Sequence, residues 1–288
     1  MKKPYFSIVI PCLNEEHFLP NLLKNLNSQT FKDFEVIIID GNSEDKTAKV
    51  ATEFPAKYPL HLHSTTTRNV SFQRNLGAKK AASDILIFFD ADTQIPPNYL
   101  KKIAEAFEKK HPHFLTTCMK TDSRKPSENM FAFFCNSILK TGEILKLPYS
   151  YGAMQAVKKG AFFDVGGYDP NIKFGEDSEL LQRIYKYNYK FTLLSTPRYI
   201  FSLRRLRSEG TLKPLLQYLQ LNFHILLKGF KVPSKIDYQM GGAQYDIKKI
   251  ENTKDSQMFK PIFTKIKKLI KKQNSNAQEI IDKIFSSD

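Results

Sequence analysis

The chain has 288 residues, of which 41% are hydrophobic, and a formal net charge of +15. This length is enough for one large domain, or for a domain with an appendage, around a full core. No apolar run approaches the roughly 20 residues that a helix needs to cross a bilayer, and no cleavage-site pattern follows the basic N-terminus, so we expect a cytoplasmic protein. Cys12, Cys118 and Cys135 form no Cys-x-x-Cys pair; we expect them to be packing residues, which argues against a zinc site.

Strands and helices are predicted to alternate over the first 110 residues. The apolar run before Pro11 predicts a strand at 5–10, and Asn14 is the expected N-cap of the helix that follows. Ser71 is expected to cap a later helix at 72–82. Further strands are predicted at 34–40, 60–63 and 85–89, and further helices from 44 and at 98–110. This alternation predicts an α/β fold with a mostly parallel, doubly wound sheet and helices on both faces.

The second half of the domain is less regular. Strands are predicted at 114–118, 149–157 and 191–194, and helices at 129–144, 159–165 and 178–187, with a loop at 174–177. We expect one domain over 1–200, made of halves at about 1–110 and 111–200. A basic, amphipathic helical extension is expected over 201–288.

The C-terminal third carries most of the net positive charge. Residues 196–288 contain 18 Lys and Arg against 8 Asp and Glu. Such charge favours an anionic partner, and the apolar stripe at 215–227 suits the interface of an anionic membrane. Solubility alone would also explain the charge, and the stripe would equally well pack onto the domain or form a homodimer. No nucleic-acid recognition motif is visible, so we expect no nucleic-acid partner.

Carboxylates stand where two of the predicted strands end. Asp40 ends one buried strand, and Asp90 and Asp92 follow another. Open α/β sheets bind ligands at the carboxyl ends of their strands, so we expect these side chains to share a crevice, where Asp40 would contact a base or ribose. An Asp-x-Asp pair can hold a hard cation such as Mg²⁺ or Mn²⁺, and Arg74 near a helix N-terminus suits a diphosphate. A lone Asp-x-Asp is more often a simple turn.

A further carboxylate pair, Glu176-Asp177, follows Gly175 and precedes a helix. Asp177 can act as a general base that deprotonates an acceptor hydroxyl, while a cation stabilises the departing diphosphate. The alternative is that Asp177 is a helix N-cap.

Six short segments occur in a fixed order over roughly residues 5–195. They are Ser7-Ile8-Val9-Ile10-Pro11-x-Leu13-Asn14-Glu15, Ile39-Asp40-Gly41-Asn42-Ser43-x-Asp45-x-Thr47, Arg74-Asn75-x-Gly77-Ala78, Asp90-Ala91-Asp92, Gly166-Gly167-Tyr168-Asp169 and Gly175-Glu176-Asp177-x-Glu179-Leu180-x-x-Arg183. Each is weak alone, but together they resemble the family 2 glycosyltransferases, inverting enzymes of the GT-A fold.

The resemblance implies a nucleotide-sugar site in which Asp92 holds Mg²⁺ or Mn²⁺ and Asp177 is the catalytic base. Many members carry Asp-Asp-Gly-Ser where this chain has Asp40-Gly41-Asn42-Ser43, and an aromatic residue where it has Leu13. Both departures bear on how the site selects the base of the nucleotide. The other residues that the resemblance assigns to the nucleotide-sugar site are Pro11, Leu13, Asn14, Glu15, Asp40, Arg74, Asp90, Ala91 and Glu176.

The segment 202–210 looks like a motif of membrane-associated members of this family. Arg204 and Arg205 lie within it. We expect these two side chains either to close over the donor diphosphate or to form part of a solvated basic face.

These observations predict a metal-dependent, inverting transferase. It would move a sugar from a nucleoside-diphosphate sugar, with a UDP-sugar as the first expectation, to a hydroxyl of a glycan or lipid-linked acceptor. The expected setting is cell-envelope polysaccharide biosynthesis at the inner face of the cell membrane. The main alternative is a phosphatase of the haloacid dehalogenase type, but the threonine that it needs is replaced by Gln94. A basic, non-enzymatic membrane adaptor would leave the series of carboxylates unexplained.

Overall fold

The computed structural model describes residues 3–123, 126–204 and 207 of the chain. Its strands are β1 (Phe6–Cys12), β2 (Phe34–Asp40), β3 (Leu60–Ser64), β4 (Ile85–Phe89), β5 (Phe114–Thr121), β6 (Met154–Lys158) and β7 (Phe191–Phe201). Its helices are α1 (Leu19–Asn27), α2 (Thr47–Glu53), α3 (Val70–Lys80), α4 (Tyr99–Lys110), α5 (Pro126–Ile144), α6 (Lys159–Asp164) and α7 (Glu176–Lys186).

The strands form a sheet in the order β3-β2-β1-β4-β6-β5-β7. β1 pairs in parallel with β2 and β4, β2 with β3, and β5 with β7, whereas β6 runs antiparallel to β4 and β5. The predicted mostly parallel sheet is therefore confirmed, with one strand reversed. Strands β2 and β3 lie on one side of β1, and β4 lies on its other side. The direction in which strands are added therefore reverses between β1 and β4, and open sheets bind ligands at such a switch point.

Alternate residues of the central strands pack against opposite faces of the sheet. Ile8 and Ile10 of β1 join a core cluster with α1, α4 and α5, whereas Val9 joins a second cluster with α3 and α7. A strand covered on both faces buries a side chain at every position, so it reads as a continuous apolar run. The expected helices on both faces are therefore confirmed.

The first strand and the first helix differ from the predicted bounds. β1 continues beyond Pro11, because its pairing with β4 already ends at Val9 and the missing N–H of Pro11 costs no hydrogen bond to β4. Helix α1 begins at Leu19, so Asn14 is not its N-cap. Asn14 instead has a φ of 56°, and its side chain accepts a hydrogen bond from the Glu44 N–H at 2.9 Å.

Helices α3 and α7, in contrast to α1, begin earlier than expected. The N-cap of α3 is Asn69, whose side chain accepts a hydrogen bond from the Phe72 N–H at 2.9 Å, so the prediction for Ser71 is wrong. Helix α7 begins directly after Gly175, whose φ of 76° favours glycine. Asp177 therefore lies in the first helical turn rather than in a loop.

Three strands of the second half have other lengths than predicted. Strand β5 extends to Thr121, beyond the predicted 114–118. The strand expected at 149–157 is reduced to β6, and the residues before it form an irregular segment. Strand β7 is longer than the predicted 191–194, because it pairs with β5 along most of its length, with one irregularity in the register.

The predicted C-terminal extension lies almost wholly outside the described residues, and Arg205 lies outside them as well. The domain boundary near residue 200 therefore stays a prediction. Among the residues that the structure describes, no helix has the length and apolar character to cross a membrane.

Candidate active site

A pocket of about 270 Å³ opens at the carboxyl ends of β1 and β4. The chain just after each of these strands forms part of its wall. The N-terminal part of α3, the irregular segment before β6, the first turn of α7 and the end of β7 with the residues after it complete the lining. The pocket therefore lies at the switch point of the sheet, as the sequence predicts for the ligand site.

Most of the predicted site residues line this pocket. Asn14 and Asp40 do not line it, and Arg205 falls outside the described residues. The predicted residues in its wall are Pro11, Leu13, Glu15, Arg74, Asp90, Ala91, Asp92, Glu176, Asp177 and Arg204.

Asp40 is buried and does not line the pocket, and its side chain holds a loop in place. Its carboxylate accepts hydrogen bonds from the Ser43 hydroxyl at 2.5 Å and from the Ser43 N–H at 3.2 Å. The same hydroxyl lies 2.9 Å from the backbone nitrogen of Asn14 and accepts its hydrogen bond. Asp40 and Asn14 thus tie the segment after β1 to the segment after β2, and Leu13 in that first segment reaches the pocket.

Arg204 joins two acidic residues in the wall. Its Nη1 and Nη2 each lie 2.6 Å from a carboxylate oxygen of Glu15, and its Nε lies 2.9 Å from Oδ2 of Asp92. The guanidinium carbon lies 4.2 Å from the centre of the Phe18 ring. Burial raises the pKa of Glu15 to about 7 and also raises the pKa of Asp92, while the positive charge of Arg204 opposes both shifts.

Arg74 is an almost completely buried part of the pocket wall. Its Nη2 lies 2.7 Å from Oδ1 of Asp90, and its Nη1 lies 2.9 Å from Oε1 of Glu176. The guanidinium also lies beside Gly152, where a Cβ atom would come within 2.9 Å of Nη2. A residue with a side chain at position 152 would therefore displace the arginine.

Asp177 is held by the start of its own helix. Its Oδ1 accepts a hydrogen bond from the Ser178 N–H at 2.9 Å, and Gln155 donates to its backbone carbonyl at 3.1 Å. Burial raises the pKa of Asp177 to about 8, the charge of Glu176 adds to this, and Arg74 opposes it. A carboxylate with a raised pKa is suited to accept a proton near neutral pH.

The donor atoms around Asp92 suit a divalent cation that keeps part of its coordination for other ligands. Among the described residues, no three His, Cys, Asp or Glu side chains converge as a complete metal site. Asp92 nevertheless offers carboxylate oxygens at the pocket wall beside Asp90, and Mg²⁺ and Mn²⁺ sites in phosphate-binding proteins commonly use one or two carboxylates plus phosphate oxygens. The residues present therefore fit such an ion.

Sequence reasoning missed part of the pocket lining. Its segment 149–153 was predicted as a strand, although Pro148 before it and Gly152 within it were available turn signals. The missed side chains include Arg68, Gln73, Tyr149, Tyr151, Phe174 and Ser202.

Curated relatives match long stretches of this chain. The poly(ribitol-phosphate) beta-N-acetylglucosaminyltransferase TarS of Staphylococcus aureus (strain Mu50 / ATCC 700699) is 24% identical over 206 residues, which cover 69% of this chain and 36% of TarS. The succinoglycan biosynthesis protein ExoA of Rhizobium meliloti (strain 1021) is 29% identical over 194 residues, which cover 64% of this chain and 58% of ExoA. The matching segments thus span between about a third and three fifths of the length of these two relatives.

Solved structures share the fold. The structure of S. aureus TarS 1-349 in complex with UDP-GlcNAc has a TM-score of 0.59 at 20% identity, covering 80% of this chain and 76% of that one. The structure of the mannosyltransferase PcManGT of Pyrobaculum calidifontis in complex with GDP-Man and Mn²⁺ has a TM-score of 0.60 at 19% identity. The match covers 81% of this chain and 67% of that one. The expected GT-A fold is therefore confirmed.

The family assignment comes from a match to the chain itself. The model of glycosyl transferase family 2 matches residues 7–167, a segment that holds the ends of β1, β2 and β4 and therefore much of the pocket. This match covers more than half of the 288 residues. The chain therefore belongs to glycosyl transferase family 2.

Proposed function

We propose that this protein transfers a sugar, with inversion, from a nucleoside-diphosphate sugar to a hydroxyl of a glycan or lipid-linked acceptor. The observation that carries the proposal is that Asp92 and Asp177, which are distant in sequence, line one pocket at the switch point of the sheet. A relative acts in succinoglycan biosynthesis and another in minor teichoic acid biosynthesis, which supports a role in cell-envelope polysaccharide synthesis. A UDP-sugar is the first candidate donor, because one matching structure holds UDP-GlcNAc.

The donor would lie between the ends of β1 and β4. Pro11, Leu13 and Glu15 come from the first strand end and would line the nucleotide side, while Asp90 and Ala91 would face the ribose or sugar. Arg204 brings a positive charge to the same wall, where it would help to bind the diphosphate.

Asp92 is the residue that would hold Mg²⁺ or Mn²⁺. A divalent cation there supplies positive charge that offsets the negative charge on the departing diphosphate. The Mn²⁺ in the matching mannosyltransferase structure supports the use of a divalent ion. Asp92 is coupled to Arg204 through Nε at 2.9 Å, so cation binding and the position of this arginine are expected to depend on each other.

Asp177 would act as the general base. Its Oδ1 is engaged by the Ser178 N–H, and its Oδ2 lies toward Gly152, where a Cβ would be 3.3 Å away. This oxygen would take the proton of the acceptor hydroxyl while the hydroxyl oxygen forms a bond to the anomeric carbon. The bond from that carbon to the diphosphate breaks on the opposite side, so the configuration inverts.

The acceptor and the membrane contact rest on the basic C-terminal third. Its excess of Lys and Arg supports peripheral binding to the anionic inner face of the cell membrane, near lipid-linked acceptors. Formation of a homodimer by the same segment is the alternative.

The experiment is a panel of UDP-, GDP- and TDP-sugars incubated with the full chain, Mn²⁺ or Mg²⁺ and candidate acceptors, with nucleotide release and glycosylated product as readouts. We expect chelation by EDTA to stop transfer, Asp92→Asn to lose metal-dependent donor binding, and Asp177→Asn to keep donor binding but lose transfer by about 10²–10⁴-fold. Wild-type transfer by Asp177→Asn would contradict the assignment of the base. Release of phosphate from monoesters without nucleotide-sugar turnover would favour the phosphatase.

A further inference from the structure

Arg74 is a buried cation whose charge is already matched inside the protein. Its side chain is 2% exposed, and its two terminal nitrogens pair with Asp90 at 2.7 Å and Glu176 at 2.9 Å. Its Nη2 also donates to the Gly152 carbonyl at 3.4 Å, and its guanidinium carbon lies 5.1 Å from the centre of the Tyr168 ring. These bonds use three of the five N–H donors of the guanidinium. The Nε donor has no hydrogen-bond partner but is buried away from solvent, so only the second donor of Nη1 is left for a diphosphate.

The two carboxylates that Arg74 joins belong to different parts of the site. Asp90 follows β4 on the donor side, whereas Glu176 is the first residue of α7 and the neighbour of Asp177. The side chain of Arg74 therefore links the donor end of the sheet to the helix turn that carries the proposed base. Because both ends of the link are charge-assisted hydrogen bonds, it fixes the distance between the two.

A second chain of contacts leads from Arg74 to the same turn. The ring that faces Arg74 belongs to Tyr168, whose hydroxyl donates to Oε1 of Gln155. Gln155 in turn donates from Nε2 to the backbone carbonyl of Asp177 at 3.1 Å. The first turn of α7 is thus held both through Glu176 and through its own backbone.

Arg74 also lies close enough to Asp177 to influence the ionisation of its carboxyl group. A Cβ at Gly152 would be 2.9 Å from Nη2 of Arg74 and 3.3 Å from Oδ2 of Asp177, so these two atoms lie within roughly 6 Å of each other. Glu176 raises the pKa of Asp177, and Arg74 lowers it. The charged and titratable groups that act on Asp177 are Arg74, Asp90, Glu176, Tyr149, Tyr168 and Tyr199.

We infer that Arg74 is a positioning residue for Asp177 rather than a ligand of the diphosphate, an inference that rests on the transferase function proposed above. Through Glu176 and Asp90 it holds the first turn of α7 against the donor site, and its charge favours the ionised form of the base. Arg74 and Glu176 therefore form an opposed pair: one favours the carboxylate of Asp177 and the other favours its protonated form.

The test measures the ionisation of Asp177 itself. The full chain is labelled with ¹³C-aspartate, the carboxyl signal of Asp177 is identified by its loss in Asp177→Asn, and its pKa is followed by NMR in Arg74→Gln and Glu176→Gln. We expect the pKa of Asp177 to rise by about 1–3 units in the first variant and to fall by about 1–3 units in the second. A merely structural role would give no reason for shifts of opposite sign.

Two further variants keep the inference open to refutation. Arg74→Lys retains the charge, so we expect a smaller shift than in Arg74→Gln, and it replaces Arg74→Gln if that variant does not fold. Arg183 lies on the same helix, pairs with Glu179 at 2.6 Å and does not line the pocket. We therefore expect Arg183→Met to lower the stability of the protein without changing the pKa of Asp177. Shifts of the same sign, or no shift in Glu176→Gln, would overturn the inference.

The same variants separate this inference from the proposed function. The NMR signal does not require turnover, so the opposed shifts can be seen or refuted in a protein that transfers no sugar. If transfer is found, the pH below which kcat/KM falls should be higher in Arg74→Gln than in the wild type, and lower in Glu176→Gln.

Discussion

Replacing Arg204 with glutamine should destabilise the protein, because this arginine separates two acidic residues in the pocket wall. Arg204, Glu15 and Asp92 have side chains that are 11%, 10% and 19% exposed, and the guanidinium reaches both carboxylates at 2.6–2.9 Å. Removing one partner of a buried ion pair costs about 3–5 kcal/mol. Since solvent still reaches a tenth to a fifth of these side chains, we expect about 2–3 kcal/mol.

This loss is measurable as a shift in the midpoint of thermal unfolding. In a domain of this size 1 kcal/mol corresponds to roughly 2–4 °C, so Arg204→Gln should lower Tm by about 5–10 °C in buffer with EDTA. Adding Mn²⁺ should raise the Tm of the variant by more than it raises the Tm of the wild type, because in the variant the cation no longer competes with Arg204 for Asp92. Affinity for UDP, measured by calorimetry, should fall, because a positive charge near the proposed diphosphate position is lost.

Arg207→Gln is the matched control. Arg207 follows Arg204 by three residues and forms a two-point ion pair with Asp122 at 2.8 and 3.0 Å, with side chains that are 19% and 20% exposed, outside the pocket lining. We expect a smaller loss of stability, about 1 kcal/mol, and no change in the response to Mn²⁺ or UDP. If Arg204→Gln is as stable as the wild type, or if both variants respond equally to Mn²⁺, the reasoning about the pocket wall is refuted.

Two further predictions follow from the described contacts. Because burial raises the pKa of Asp177 to about 8 and only the ionised form accepts a proton, kcat/KM of the wild type should fall about tenfold for each pH unit below that value; a profile that is flat between pH 6 and 8 would be inconsistent with this base. In Gly77→Ala the new Cβ would lie 2.3 Å from Cγ1 of Val9. A contact this short places overpacking at the upper end of its usual cost, about 3 kcal/mol, and the better helix propensity of Ala returns about 1, so we expect a net loss of about 2 kcal/mol. Adding Val9→Ala should recover part of this loss in urea unfolding, and strictly additive effects would show that the two residues do not clash.

The strands of this protein were the most predictable elements. The runs at 34–40 and 85–89 were both predicted as buried strands, and the structure confirms them as β2 and β4. A strand that is covered on both faces must be apolar along its whole length, so its pattern is contained in five to seven adjacent residues. The alternation of such runs with helices was sufficient to predict a mostly parallel sheet.

Helix starts were less predictable, for a physical reason. Asn14, Ser71 and Asp177 can each accept a hydrogen bond from a nearby backbone N–H, in a loop as well as at a helix cap. In the structure Asn14 bonds to the loop after β2, and Asn69 rather than Ser71 caps α3. Which of these bonds forms depends on where distant segments lie, so the residue type alone does not decide it.

The sequence by itself determined that acidic residues stand at the carboxyl ends of two buried strands, and hence that Asp90 and Asp92 face a crevice at one edge of the sheet. Only the tertiary structure decided which cation each acid meets: Arg74 pairs with Asp90 and Glu176, and Arg204 with Glu15 and Asp92. Strand patterns arise from neighbours a few residues apart, whereas ion pairs and the burial that shifts a pKa arise from segments that the folded sheet brings together.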